Sequence, residues 1–144
     1  MLTTVNFVDS NILLYSTSQQ RMDQTKRGIA QTLLESEHLV ISVQVLNEFL
    51  NVATHPKKHG MSKIEAISHC QVFSKIHSVI SLTPAVHDLA MTWFLPSQLS
   101  LWDANLIAAA SLANCPIFYS EDLNHGQTYG RVTVVNPFAS LEQD

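Results

Sequence analysis

Short apolar runs alternate along this chain with longer stretches of helical period. TVNFVD, residues 4–9, is too short for a helix and reads as a buried strand. In residues 22–36, Ile29, Ala30, Leu33 and Leu34 recur at helical spacing. HLVIS, 38–42, is a second strand. The helix over 43–54 has Ser42 as its N-cap and His55-Pro56 as its stop. A helix over 62–77 is capped by Ser62, and VISL, 79–82, is a third strand. Pro84 suits the first turn of a helix running to Leu95, packed through Val86, Ala90, Trp93 and Phe94. Residues 101–113 form another helix. After the turn Asn114-Cys115-Pro116 come the last two strands, IFYS at 117–120 and VTVV at 132–135. Alternation of strand and helix predicts an α/β fold: a five-stranded parallel sheet covered on both faces. Ligands of such sheets bind beyond the carboxyl ends of the strands, where the strand order reverses.

Composition adds limits. The 144 residues, 46% apolar, are expected to form one domain over 1–144 with a real core. A formal net charge of −4 argues against a surface that is polycationic throughout and leaves room for a local basic patch. No apolar run approaches the ~20 residues of a membrane span, and Thr3, Thr4 and Asn6 break up the N-terminus. A soluble, cytoplasmic protein without membrane attachment is expected. Cys70 and Cys115 have no metal-ligand spacing and are expected to be free, buried thiols.

The acidic residues carry the chemistry. Asp9 lies between the apolar runs VNFV and ILLY, with no lysine or arginine within ten residues. A buried carboxylate needs a partner. Glu121 and Asp122 follow the fourth strand. Glu48 lies in the helix after the second strand, flanked on one side by Val45 and Val52, and Asp103 opens the apolar helix SLWDANLIAAA. Each has an ordinary structural explanation. Asp9 or Ser10 caps a short helix starting at Asn11. Ser100 and Asp103 fit a capping box. Glu48 flanks an amphipathic stripe, and EDLNHG is a polar turn. Trp102, between Leu101 and Asp103 and near Leu106, reads as a packing residue.

Taken together, however, these acids fall at strand ends or just after them, and the fold brings such points to one edge. Carboxylates gathered without lysine or arginine either share protons or hold a divalent cation. An oxygen-only donor set selects Mg²⁺ or Mn²⁺ over Zn²⁺, and such sites serve phosphate chemistry. THPKKHGMSK supplies a candidate contact loop for a nucleic-acid backbone through Lys57, Lys58, His59 and Lys63, with Lys26 and Arg27 a weaker second patch.

VDSNILLY with Asp9, VLNEFLNV with Glu48, LSLWDANLIAAA with Asp103, and FYSEDLNHG followed by VVNPF together resemble PIN domains, in particular VapC-type toxins of bacterial toxin–antitoxin systems. The resemblance implies a three-layer α/β/α fold and an Mg²⁺- or Mn²⁺-dependent endoribonuclease that cleaves cellular RNA. It also implies a cognate antitoxin as partner and a homodimer. By position it makes Asp9, Glu48, Asp103 and Asp122 the catalytic and metal-holding acids, with Ser10, Asn11, Ser120 and Glu121 orienting them. Glu121 or Asp122 faces the metal, Asp122 fitting the Ser-x-Asp spacing.

Other readings remain. One is a PIN-like domain that binds RNA or a partner without cutting. A phosphoacceptor signalling module needs an acid after its third strand, where SLTP stands, and a late lysine, yet none follows Lys75. A small-molecule metal phosphatase needs a second acid two residues after its nucleophile, where this chain has Asn11.

Overall fold

The computed structural model describes residues 4–142. Six strands form one sheet: β1 (Asn6–Val8), β2 (Leu39–Ser42), β3 (Ser78–Ile80), β4 (Ile117–Tyr119), β5 (Thr128–Tyr129) and β6 (Val132–Val135). Their order is β3-β2-β1-β4-β6-β5. All pairs are parallel except β5–β6. The helices are α1 (Ser10–Thr17), α2 (Gln24–Ser36), α3 (Val43–Ala53), α4 (Lys63–Ile76), α5 (Pro84–Phe94) and α6 (Leu101–Leu112).

The expected α/β class and helix-covered sheet are therefore present, with six strands where the apolar runs predicted five. The extra strand is a two-residue antiparallel edge. Tyr129 pairs Val132 across a tight turn at Gly130, whose φ of +60° glycine accepts without strain. It has no apolar run to announce it.

The chain builds outward from β1 in one direction through β2 and β3, then returns through α5 and α6 to place β4 on the other side of β1. Right-handed crossovers put α1–α4 on one face and α5–α6 on the other. Packing agrees: α1 touches α2 and α3, α3 touches α4, and α5 packs along α6. The order reverses between β1 and β4.

Local sequence explains the pieces. β2 is buried at all four positions, as a central strand covered on both faces should be. Phe7 and Phe118, opposite one another in the β1–β4 register, stack with centroids 5.2 Å apart. Helix α3 turns Val45, Phe49 and Ala53 inward at four-residue spacing. Helix α6 is buried continuously from Ala104 to Ala110, and its alanines let it lie close to neighbouring backbone. Ser42, Ser62, Thr83 and Ser100 each accept an N–H of the first turn of their helices. The packing expected of Phe94 does not occur: Val86 and Ala90 are buried, but Phe94 is exposed. Cys115 is buried and Cys70 only partly so, and both are free. Among the described residues no helix is long and apolar enough to cross a membrane.

Candidate active site

The carboxyl ends of β1 and β4 meet at the point where the strand order reverses, and both end in polar residues. Asp9 leaves β1 and caps α1, its Oδ1 accepting the Ser10 N–H at 2.7 Å. Its Oδ2 accepts from the Ser120 hydroxyl at 2.9 Å and from Asn11 Nδ2 at 3.5 Å. Asn11 Nδ2 also donates to Ser120 Oγ at 3.2 Å and to Asp122 Oδ2 at 3.1 Å. The Ser120 hydroxyl in turn accepts the Asp122 N–H, and Asn11 Oδ1 accepts the Glu121 N–H. One serine and one asparagine thus tie the ends of two neighbouring strands together and fix two carboxylates.

The two adjacent acids after β4 diverge. Asp122 is exposed and stays on the Asn11 network. Glu121 turns away to form an ion pair with Lys26 and accepts the Tyr15 hydroxyl at 2.6 Å. The Lys26 ammonium also sits over the rings of Tyr15 and Phe138. This clamp spans residues far apart in sequence. Lys26 is thus already engaged inside the protein, and Arg27 donates to the Ser18 carbonyl, so neither is the free contact that the sequence suggested.

Glu48 approaches from α3. Its Oε2 accepts the Trp102 indole N–H at 3.1 Å, and Gln44 Nε2 donates to the Trp102 carbonyl. Asp103 is the next residue, half-buried at the start of α6, with its N–H bonded to Ser100 Oγ at 3.0 Å. Trp102 was expected to pack inward. It is 46% exposed, because the buried side of α6 begins at Ala104.

Electrostatics link Glu48 and Asp122 to both Asp9 and Asp103. Burial pushes the Asp9 carboxyl up to about 7; hydrogen bonds from Ser120 and Ser10 oppose this, and the charges of Glu48 and Asp122 add to it. Burial also raises Asp103, against the Ser100 hydroxyl, with Asp122 and Glu48 again adding to the shift. Glu48 and Asp122 are thus close enough to both Asp9 and Asp103 for their charges to be felt. Among the described residues none of these four is in an ion pair with lysine or arginine. Nor do any three His, Cys, Asp or Glu side chains there already stand in a metal cage. The donor set fits a hard divalent cation by its chemistry: carboxylate oxygens only, with Asp9 and Asp103 raised in proton affinity first by burial and then by the charges of Glu48 and Asp122.

The basic loop lies beside this site. Gln20 Nε2 donates to the Lys58 carbonyl at 2.8 Å. His59 lines a cleft of about 270 Å³ with Asn11, Tyr15, Glu121 and Asp122. Lys57 and Lys58 are exposed, and Lys63 lies further along, at the start of α4.

The PIN domain family matches residues 7–130, and the chain belongs to that family. Solved structures share its fold at low identity. VapC20 of Mycobacterium tuberculosis, described as a sarcin–ricin-loop-cleaving toxin, is 19% identical over 81% of this chain and 88% of that one, with a TM-score of 0.64. A toxin–antitoxin complex from Klebsiella pneumoniae is 19% identical over 92% and 97%, with a TM-score of 0.66. VapBC2 of Rickettsia felis, solved with a DNA fragment from its promoter, is 13% identical over 91% and 97%, with a TM-score of 0.65. No curated protein sequence matches significantly.

Proposed function

We propose that this single PIN domain is a cytoplasmic endoribonuclease dependent on Mg²⁺ or Mn²⁺, the toxin of a toxin–antitoxin pair. The observation that carries the reading is the hydrogen-bonded network at the β1–β4 switch point, in which Asn11 and Ser120 hold the carboxylates of Asp9 and Asp122 together, with Glu48 bonded to Trp102, the residue before Asp103. Family membership supports it, as does the likeness in fold to toxins and toxin–antitoxin complexes.

The four acids would hold the cation. What such an ion supplies when bound is neutralisation of phosphate charge and a water of lowered pKa. The protein's own groups do the placing. Ser120 and Asn11 hold Asp9 and Asp122 in fixed orientation. The Ser10 N–H holds the other oxygen of Asp9. Glu48 is steadied by the Trp102 indole. Glu121 keeps the turn after β4 fastened to Lys26 and Tyr15, so its role is to orient rather than to hold metal. Lys57, Lys58, His59 and Lys63 bind the RNA backbone from the side of the site. A cognate antitoxin and a second copy of the chain are the protein partners of this reading.

The test is expression of the wild type and of Asp9→Asn in a bacterial host, with RNA ends mapped after induction. New RNA ends and growth arrest with the wild type alone are expected. Identical RNA ends in both cultures would overturn the proposal.

A further inference from the structure

An open cleft of about 540 Å³ lies beside the acidic site, between the start of α3, the β3–α5 loop and the start of α6. We infer that this cleft is a subsite for one unstacked nucleobase of a single-stranded RNA, with the Trp102 ring as its stacking face. The inference rests on the ribonuclease reading and adds to it where the substrate's base goes.

The lining is neutral. Val43, Leu82, Leu101 and Trp102 form its apolar surface, each 42–55% exposed. The polar groups are amides and a hydroxyl, among them Asn47 and Asn105, and none of the lining residues is charged. A phosphate or a cation finds no countercharge there. A planar, uncharged heteroaromatic ring with N–H and carbonyl groups finds a π-face, aliphatic walls and amide partners.

One further observation favours a base over a purely apolar occupant. The Trp102 ring is held before any ligand arrives by the bond from its indole N–H to Glu48 Oε2, and Gln44 Nε2 holds the backbone carbonyl of the same residue. A fixed aromatic face loses little freedom on stacking.

Position joins the cleft to the chemistry. Trp102 immediately precedes Asp103 and is bonded to Glu48. A nucleotide whose base lies on Trp102 therefore has its phosphodiester beside the acids. The aromatic residue selects unpaired RNA, because a base inside a duplex has no free face to offer.

The test measures binding of a fluorescein-labelled eight-nucleotide single-stranded RNA to the full chain in EDTA, so that nothing is cut. The comparison set is wild type, Trp102→Phe and Trp102→Ala, each checked for fold by circular dichroism, together with a series of RNAs made abasic at one position in turn. Trp102→Ala should weaken binding about 5- to 100-fold and Trp102→Phe much less. One abasic position should cost the wild type a similar factor and cost Trp102→Ala nothing further. That non-additivity is what a merely structural role for Trp102 would not produce. If every abasic RNA loses as much affinity with Trp102→Ala as with wild type, the subsite is wrong. A change of oligomeric state in Trp102→Ala at unchanged RNA affinity also overturns it, because the cleft is then a protein interface. The ribonuclease reading is scored separately, by cleavage of the same RNA with Mn²⁺. Cleavage with no Trp102 effect sinks the subsite alone; abasic coupling without cleavage leaves the subsite and sinks the nuclease.

Discussion

The Ser120 hydroxyl donates to Asp9 Oδ2 at 2.9 Å across 111 residues of sequence. That bond closes the carboxyl edge of β1 onto that of β4. It also works against the burial that makes Asp9 resist ionisation.

Asp9 gives the molecule a pH-dependent stability. Its carboxyl titrates near 7 when folded, against an ordinary value of 3.8. Between those values the folded state binds more protons than the unfolded one, so stability falls as pH rises. The favourable contribution is complete below pH ~4 and lost as pH passes through ~7, with a size of up to about 4 kcal/mol. Asp9→Asn, which cannot ionise, should lose less stability than the wild type between pH 4 and pH 8 in EDTA, measured by urea unfolding. Parallel pH profiles would show that Asp9 ionises freely.

The Lys26–Glu121 pair should stabilise modestly. Both side chains are largely covered, at 29% and 20% exposure, and Tyr15 shares the carboxylate. Lys26→Met should cost about 1 kcal/mol after allowance for solvent screening. It should also lower cleavage more than RNA binding, since the turn it anchors carries Asp122. Lys26→Glu combined with Glu121→Lys should recover part of the stability. No recovery at any salt concentration would argue against a direct pair.

Two glycines should respond in opposite directions to alanine. Gly28 is in the interior of α2 with open space where a Cβ would go, so Gly28→Ala should stabilise by about 0.5–1 kcal/mol. Gly130 has a φ of +60°, and an added Cβ would stand 3.1 Å from the Trp93 ring. Gly130→Ala should destabilise by about 1–3 kcal/mol. Thermal unfolding of both variants checks the sign of each change.

Lys57→Ala with Lys58→Ala should weaken binding of single-stranded RNA and reduce the slope of log K against log salt by about 1.4, near 0.7 for each lost phosphate contact. An unchanged slope would remove the loop after α3 from the RNA path.

Much of the architecture could be read from the chain because its core strands are short runs dominated by apolar residues. NFV, LVIS and VTVV carry one polar residue each, too few to confuse strand with loop, and the serine caps mark where α3, α4 and α6 begin. β5 escaped because its two residues sit in a polar segment with no period. The site divides in the same way. That Asp9 and Asp122 follow neighbouring strands, and so share the Asn11–Ser120 network, follows from topology. The Lys26–Glu121–Tyr15 clamp could not be anticipated, because nothing local in the sequence joins residues from α1, α2 and the turn after β4. Trp102 misled for a physical reason: Leu101 and Leu106 flank it with apolar character, but only Leu106 lies on the buried face of α6. Neighbours in sequence do not set the direction in which a helical side chain points.

The most direct measurement is the anomalous difference map of crystals grown in millimolar Mn²⁺. The account predicts manganese at the β1–β4 edge, about 2.1 Å from carboxylate oxygens of Asp9 and at least one of Glu48, Asp103 and Asp122. Manganese bound elsewhere on the molecule, with that edge holding only water, would contradict it.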